Sequence, residues 1–128
     1  MPEQLPLAGK SILVIEDELL IAMSVESLLN DAGATTVTIA SSVAQAQTAL
    51  ARGSYDAAVV DFHLPDGDAS VLIEALSGKE IAVVVTTGDS FVQPDLSKTV
   101  TVLRKPYSDR DLIKVMTWLT RAPGEHDP

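Results

Sequence analysis

The sequence predicts an α/β domain built on a doubly wound, five-stranded parallel sheet. Three observations predict it. Ile12–Ile15, Ala57–Val60 and Ile81–Val85 are short, almost unbroken apolar runs, the pattern of strands covered on both faces. Segments with helical spacing of apolar residues alternate with them, as parallel strands require of their crossovers. Each run also gives way abruptly to polar residues: Glu16-Asp17-Glu18, Asp61, and Thr86-Thr87-Gly88-Asp89.

Taken in order, Met1–Lys10 reads as a loose arm and Ser11–Ile15 as the first strand. Glu18–Asn30 carries Leu19, Ile21, Ala22, Val25, Leu28 and Leu29 at helical spacing, with Gly33 as its C-terminal signal. Thr35–Ile39 alternates threonine with valine and isoleucine, which suits an edge strand. A helix follows from a Ser42 cap to Arg52, closed by Gly53. After the strand ending in Asp61, Pro65 and Gly67 force a turn, with Asp66 or Asp68 available to cap a helix over Ala69–Leu76. Ile81–Val85 is the most continuously apolar strand. The segment Asp89–Lys98 is short and holds Pro94, so the fourth helix is predicted to be shortened. Val100–Leu103 makes the last strand and releases Arg104-Lys105-Pro106. The last helix starts at Ser108, carries Asp109 and Asp111 in its first turn, and buries Leu112, Ile113, Val115, Met116 and Leu119.

The fully apolar runs belong at the centre and the threonine-rich ones at the edges. With short right-handed crossovers this gives strand order 2-1-3-4-5 and a switch point between strands one and three, with Asp17 beside Asp61. All four polar strand ends then open on one cleft.

At 128 residues the chain has material for a single domain, and its 46% apolar content supports a core. No stretch is long and apolar enough to span a bilayer, and Met1–Lys10 lacks the pattern of a secretory signal, so a cytoplasmic location is expected. Without cysteine there is no disulfide and no thiolate nucleophile. The net charge of -9 argues against direct binding to nucleic acid or an anionic membrane.

Glu16, Asp17 and Asp61 together would make an oxygen-rich pocket suited to Mg2+, with Mn2+ as the alternative ion. A carboxylate there can attack a phosphoryl group, and Asp61 is the best candidate because it ends a central strand. Thr87 offers a hydroxyl and Lys105 an ammonium to phosphoryl oxygens. Either alone reads as an ordinary surface group; the converging strand ends favour the functional reading. The Lys105-Pro106 bond is a candidate for the cis form.

These residues resemble the receiver domain of two-component response regulators, of a divergent single-domain type. The resemblance rests on V-I-E-D-E at Val14–Glu18, V-V-D-F-H-L-P-D-G at Val59–Gly67, T-G-D at Thr87–Asp89 and R-K-P-Y at Arg104–Tyr107. It implies a flavodoxin-like receiver domain over residues 11–121, between the arm at 1–10 and a tail at 122–128. By this resemblance Asp61 is the phosphoacceptor and Asp17 a direct metal ligand, with Glu16 acting through water and His63 through its backbone carbonyl. Thr87 is the switch hydroxyl, Lys105 contacts the phosphoryl group, and His63 and Asp89 modulate how fast water removes it. A sensor histidine kinase or histidine phosphotransfer protein is the implied donor, an unknown downstream protein the implied target, and a homodimer is left open. No independent enzyme is expected beyond catalysis of its own phosphorylation and dephosphorylation.

Two departures stand out. Receivers usually carry Phe or Tyr where this chain has Val102, and Tyr107 is not taken as its substitute. The shortened fourth helix alters the output face, which the resemblance places at the fourth helix, fifth strand and fifth helix. The chain stops soon after the last helix, which fits either a single-domain regulator or one domain of a longer protein. The other readings are a flavodoxin-like mononucleotide-binding domain, a small Mg2+-dependent phosphatase and a purely interacting pseudo-receiver. A Gly-rich loop after the first strand is missing for the nucleotide, a substrate-selecting cap for the phosphatase, and the intact acidic set argues against the last.

Overall fold

A computed structural model describes residues 5–88 and 100–120. The chain runs β1 (Ser11–Ile15), α1 (Leu19–Asp31), β2 (Thr36–Ala40), α2 (Val43–Arg52), β3 (Ala57–Asp61), β4 (His63–Leu64), β5 (Gly67–Asp68), α3 (Ser70–Gly78), β6 (Ala82–Thr87), β7 (Val100–Arg104) and α4 (Asp109–Leu119). Five strands pair in parallel in the order β2-β1-β3-β6-β7, the arrangement expected from the burial pattern. The expected short helix at 89–98, and Asp89 with it, lies outside the described residues.

The sheet is covered on both faces, which explains why its central strands are apolar at consecutive positions. Leu13, Ile15, Ala58, Val60, Val83 and Val85 face α2 and α3, with Ala46, Leu72 and Leu76 packed on them. Ile12, Val14, Ala57, Val59, Ala82 and Val84 face α1 and α4, against Val25, Leu29, Leu112 and Met116. The edge strand β2 is only half-buried along most of its length, as its threonines imply.

The helix caps follow their residues. Ser42 Oγ accepts the Gln45 N–H at 3.1 Å. At α4, Ser108 Oγ accepts the Asp111 N–H at 3.0 Å while Asp111 Oδ2 accepts the Ser108 N–H at 3.3 Å, a reciprocal capping box. Ser108→Ala is expected to lower unfolding free energy by about 1 kcal/mol, read as a lower urea midpoint at unchanged slope. An unchanged midpoint would mean that water replaces the hydroxyl at no cost.

Three expectations are corrected. The arm is not loose throughout: Leu7 is fully buried beneath α1 and its N–H donates to Ala32 O at 2.8 Å. Gly33 makes that seat available, since its φ is +106° and a Cβ there would come within 2.7 Å of Leu5 Cβ. Leu19 points outward, because the inward face of α1 is set by Ala22, Val25 and Leu29. Gly53 closes α2 as expected, in extended backbone, its N–H donating to Ala49 O. Asp66 caps α2, accepting from the Val43 and Ala44 N–H groups, whereas α3 begins at Ala69 without a side-chain cap.

Candidate functional site

β1 and β3 are neighbours with Ile15 level with Val60, so the residues that follow, Glu16 and Asp61, emerge side by side at the carboxyl end of the sheet. Both are buried, at 6% and 8% exposure, while Asp17 is exposed. Ligand oxygens of Glu16, Asp17 and Asp61 all lie within 4.8 Å of one another. The Glu16 N–H donates to Ala40 O at 3.0 Å, which fixes the start of the acidic loop against β2.

Lys105 approaches from the far edge of the sheet. Its Nζ lies 3.5 Å from Asp61 Oδ2 and 4.0 Å from Glu16 Oε1, with the side chain 32% exposed. Its backbone N–H donates to Thr87 O at 2.8 Å and its bond to Pro106 is cis. Thr87 is fully buried at the end of β6, level with Arg104, so the threonine and the lysine leave adjoining strands together. His63 is exposed, its N–H donates to Asp61 Oδ1 at 3.1 Å, and its ring meets Phe62 edge-on at 5.2 Å.

Three carboxylates against one lysine leave the cluster negative. Burial is the main reason that Glu16 is pushed up from 4.5 to about 7; the Glu18 N–H opposes this, Asp61 adds to it and Lys105 relieves it. An all-oxygen donor set with unneutralised negative charge fits a hard divalent cation such as Mg2+ or Mn2+. Glu16, Asp17 and Asp61 are the side chains in position to hold it.

The same geometry bears on the unusual Val102. It is half-buried and packs with the α2 and α3 layer, while Tyr107 packs with the α1 and α4 layer on the opposite face. Tyr107 therefore does not take the place of an aromatic at 102. Burial, and then the carboxylates of Glu16, Asp61 and Asp109, raise its phenol pKa, which ties it electrostatically to the acidic site. It lines a groove of about 410 Å³ between α1 and the start of α4, with Leu20, Ile21, Val25, Lys105 and Pro106.

Comparison with known proteins decides the family. The sequence model of the response regulator receiver domain matches residues 12–117. The chain belongs to the response regulator receiver family. SdrG from Sphingomonas melonis Fr1 is 33% identical and superposes on this receiver with a TM-score of 0.72, over 88% of this chain and 98% of that one. A response regulator receiver domain protein from Bacillus halodurans C-125 reaches a TM-score of 0.77 at 20% identity, covering 89% of this chain and 99% of its own. The receiver domain of PhyR from Erythrobacter litoralis gives 0.75 at 24% identity, over 88% and 90% of the two chains. At those lower identities the likeness is one of fold. No curated protein sequence matches the chain.

The sequence motifs therefore belong to a two-component signalling domain. Among the described residues no helix is long and apolar enough to cross a membrane. Sequence reasoning named Tyr107 and Asp66 without giving either its place at this end of the sheet. Tyr107 had a signal in its place beside Lys105-Pro106, whereas nothing local to Asp66 says which helix it caps.

Proposed function

We propose that this receiver is a cytoplasmic switch in which Asp61 takes a phosphoryl group from a histidine kinase or histidine phosphotransfer protein. The observation that carries the reading is the meeting of Glu16, Asp17 and Asp61 within 4.8 Å, with Lys105 Nζ 3.5 Å from the acceptor carboxylate. An Asp61 oxygen forms the new bond to phosphorus as the bond from phosphorus to the donor imidazole nitrogen breaks, leaving an acyl phosphate. Bound Mg2+ supplies charge neutralisation for the acids and the phosphoryl oxygens. Lys105 gives its ammonium to one phosphoryl oxygen and Thr87 its hydroxyl to another. Asp17 and Asp61 would hold the metal directly, Glu16 through water and His63 through its carbonyl. The His63 side chain and Asp89 adjust the lifetime of the acyl phosphate.

A protein donor is supported by the apolar side chains that α1 leaves in solvent next to the groove, including Leu20 at 81% exposure. The output is a change in contacts with a downstream protein, or with a second copy, at the face that includes β7 and α4. Because Val102 replaces the usual aromatic, that change is transmitted without a ring rotating at this position. Incubation with a phosphorylated histidine kinase domain or with acetyl phosphate, in the presence of Mg2+, is expected to add the mass of one phosphoryl group to the intact protein. No gain with either donor would overturn the proposal.

A further inference from the structure

We propose that Asp66 is a positioning residue for the acidic site, locking the hairpin that follows Asp61 onto the first turn of α2. The inference rests on the reading of the site given above. Asp66 sits at the tip of the β4–β5 hairpin, in which His63 pairs with Asp68 and Leu64 with Gly67. Its Oδ1 accepts the Val43 N–H at 2.8 Å and its Oδ2 the Ala44 N–H at 3.1 Å. These amides have no partner within the helix, and a carboxylate is favoured at that end of it. The Val43 N–H is also the main reason that the Asp66 carboxyl is held below its usual range, so it is ionised at neutral pH.

The bond is more than a cap because α2 already has one. Ser42 occupies the N-cap and satisfies the Gln45 N–H. What Asp66 adds is a bridge between segments more than twenty residues apart. On its own side, the base of the hairpin is fastened to the acceptor: the His63 N–H donates to Asp61 Oδ1, the Phe62 N–H to Thr86 O at 2.9 Å, and the Ala69 N–H to Phe62 O at 3.0 Å. On the other side, α2 follows β2 after two serines, and Ala40 at the end of β2 accepts the Glu16 N–H. With β1 paired to β3, bonds therefore run in a closed circuit from Glu16 through Ala40 and the start of α2 to Asp66, and back through His63 to Asp61. Gly67, at φ +143°, gives the hairpin the backbone turn that aims Asp66 outward to α2.

Cutting the circuit at Asp66 frees the hairpin tip and loosens the peptide of His63, one of the groups assigned to the metal. The test compares Asp66→Ala, Asp66→Asn and Ser42→Ala with the unaltered protein. Mg2+ affinity is followed by amide chemical shifts, and hydrogen exchange at His63 in the metal-free state. Asp66→Ala is expected to weaken Mg2+ binding about tenfold, the scale of losing a group that supports a ligand, and to speed exchange at His63. Asp66→Asn, which keeps one oxygen for the α2 amides, is expected to recover part of the affinity. Ser42→Ala removes the helix's own cap and is expected to lower stability while leaving Mg2+ affinity unchanged. Affinity in Asp66→Ala within about twofold of the unaltered protein would overturn the proposal, as would an equal loss in Ser42→Ala. If Asp66→Ala does not fold, Asp66→Asn against Ser42→Ala decides the same point. Failure of the unaltered protein to bind Mg2+ is a different result, which overturns the underlying reading of the site and this proposal with it.

Discussion

Asp17→Ala, and equally chelation of Mg2+, is expected to slow phosphorylation of this receiver by acetyl phosphate at least about a hundredfold, corresponding to about 3 kcal/mol in the barrier. The magnitude follows from the charges. An anionic phosphoryl donor must approach Asp61 with Glu16 and Asp17 close by, and Lys105 supplies one positive charge from a side chain that is one-third exposed. One partly hydrated ammonium does not offset that repulsion. Asp17 is the informative position because it is exposed, so its removal leaves the core intact. Rates for Asp17→Ala within about threefold of the unaltered protein would mean that the acids do not act together through a cation.

The second large effect concerns stability. In the metal-free protein, Glu16 has its pKa raised from 4.5 to about 7, chiefly by burial. The folded state therefore holds this proton more tightly than the unfolded chain. Stability falls as pH rises from about 4.5 to about 7, and the full penalty is present above that window. Screened by the water that reaches this end of the sheet, a shift of this size corresponds to about 1–2 kcal/mol. Urea unfolding in the presence of a chelator at pH 5 and pH 8 is expected to expose the difference, and Glu16→Gln to remove most of it. A Glu16→Gln protein with the same pH dependence as the unaltered one would assign the slope to other groups.

Much of this was legible in the sequence because parallel strands buried on both faces write themselves as continuous apolar runs. Ile12–Ile15, Ala57–Val60 and Ile81–Val85 identified the centre of the sheet, and the threonines of β2 its edge. The meeting of Glu16, Asp17 and Asp61 followed from strand order alone, since neighbouring parallel strands release their polar ends at the same level. What stayed hidden depended on contacts far apart in the chain. Leu7 lies in a stretch rich in Pro and Gly, and only its packing with Ala32 and Leu29 makes it core. Leu19 fits a helical stripe on paper but falls outside the arc that α1 presents to the sheet. Asp66 is next to a helix start in sequence, yet the hairpin turns it toward a different helix. Glu16 being buried while Asp17 is exposed also depends on the backbone path after β1, which two adjacent acids do not specify.

The most direct measurement is the position of the phosphoryl group. After reaction with acetyl phosphate and Mg2+, peptide mass analysis is expected to find the modification on Asp61 alone, with none in Asp61→Ala. Modification of another residue, or undiminished labelling of Asp61→Ala, would contradict the account.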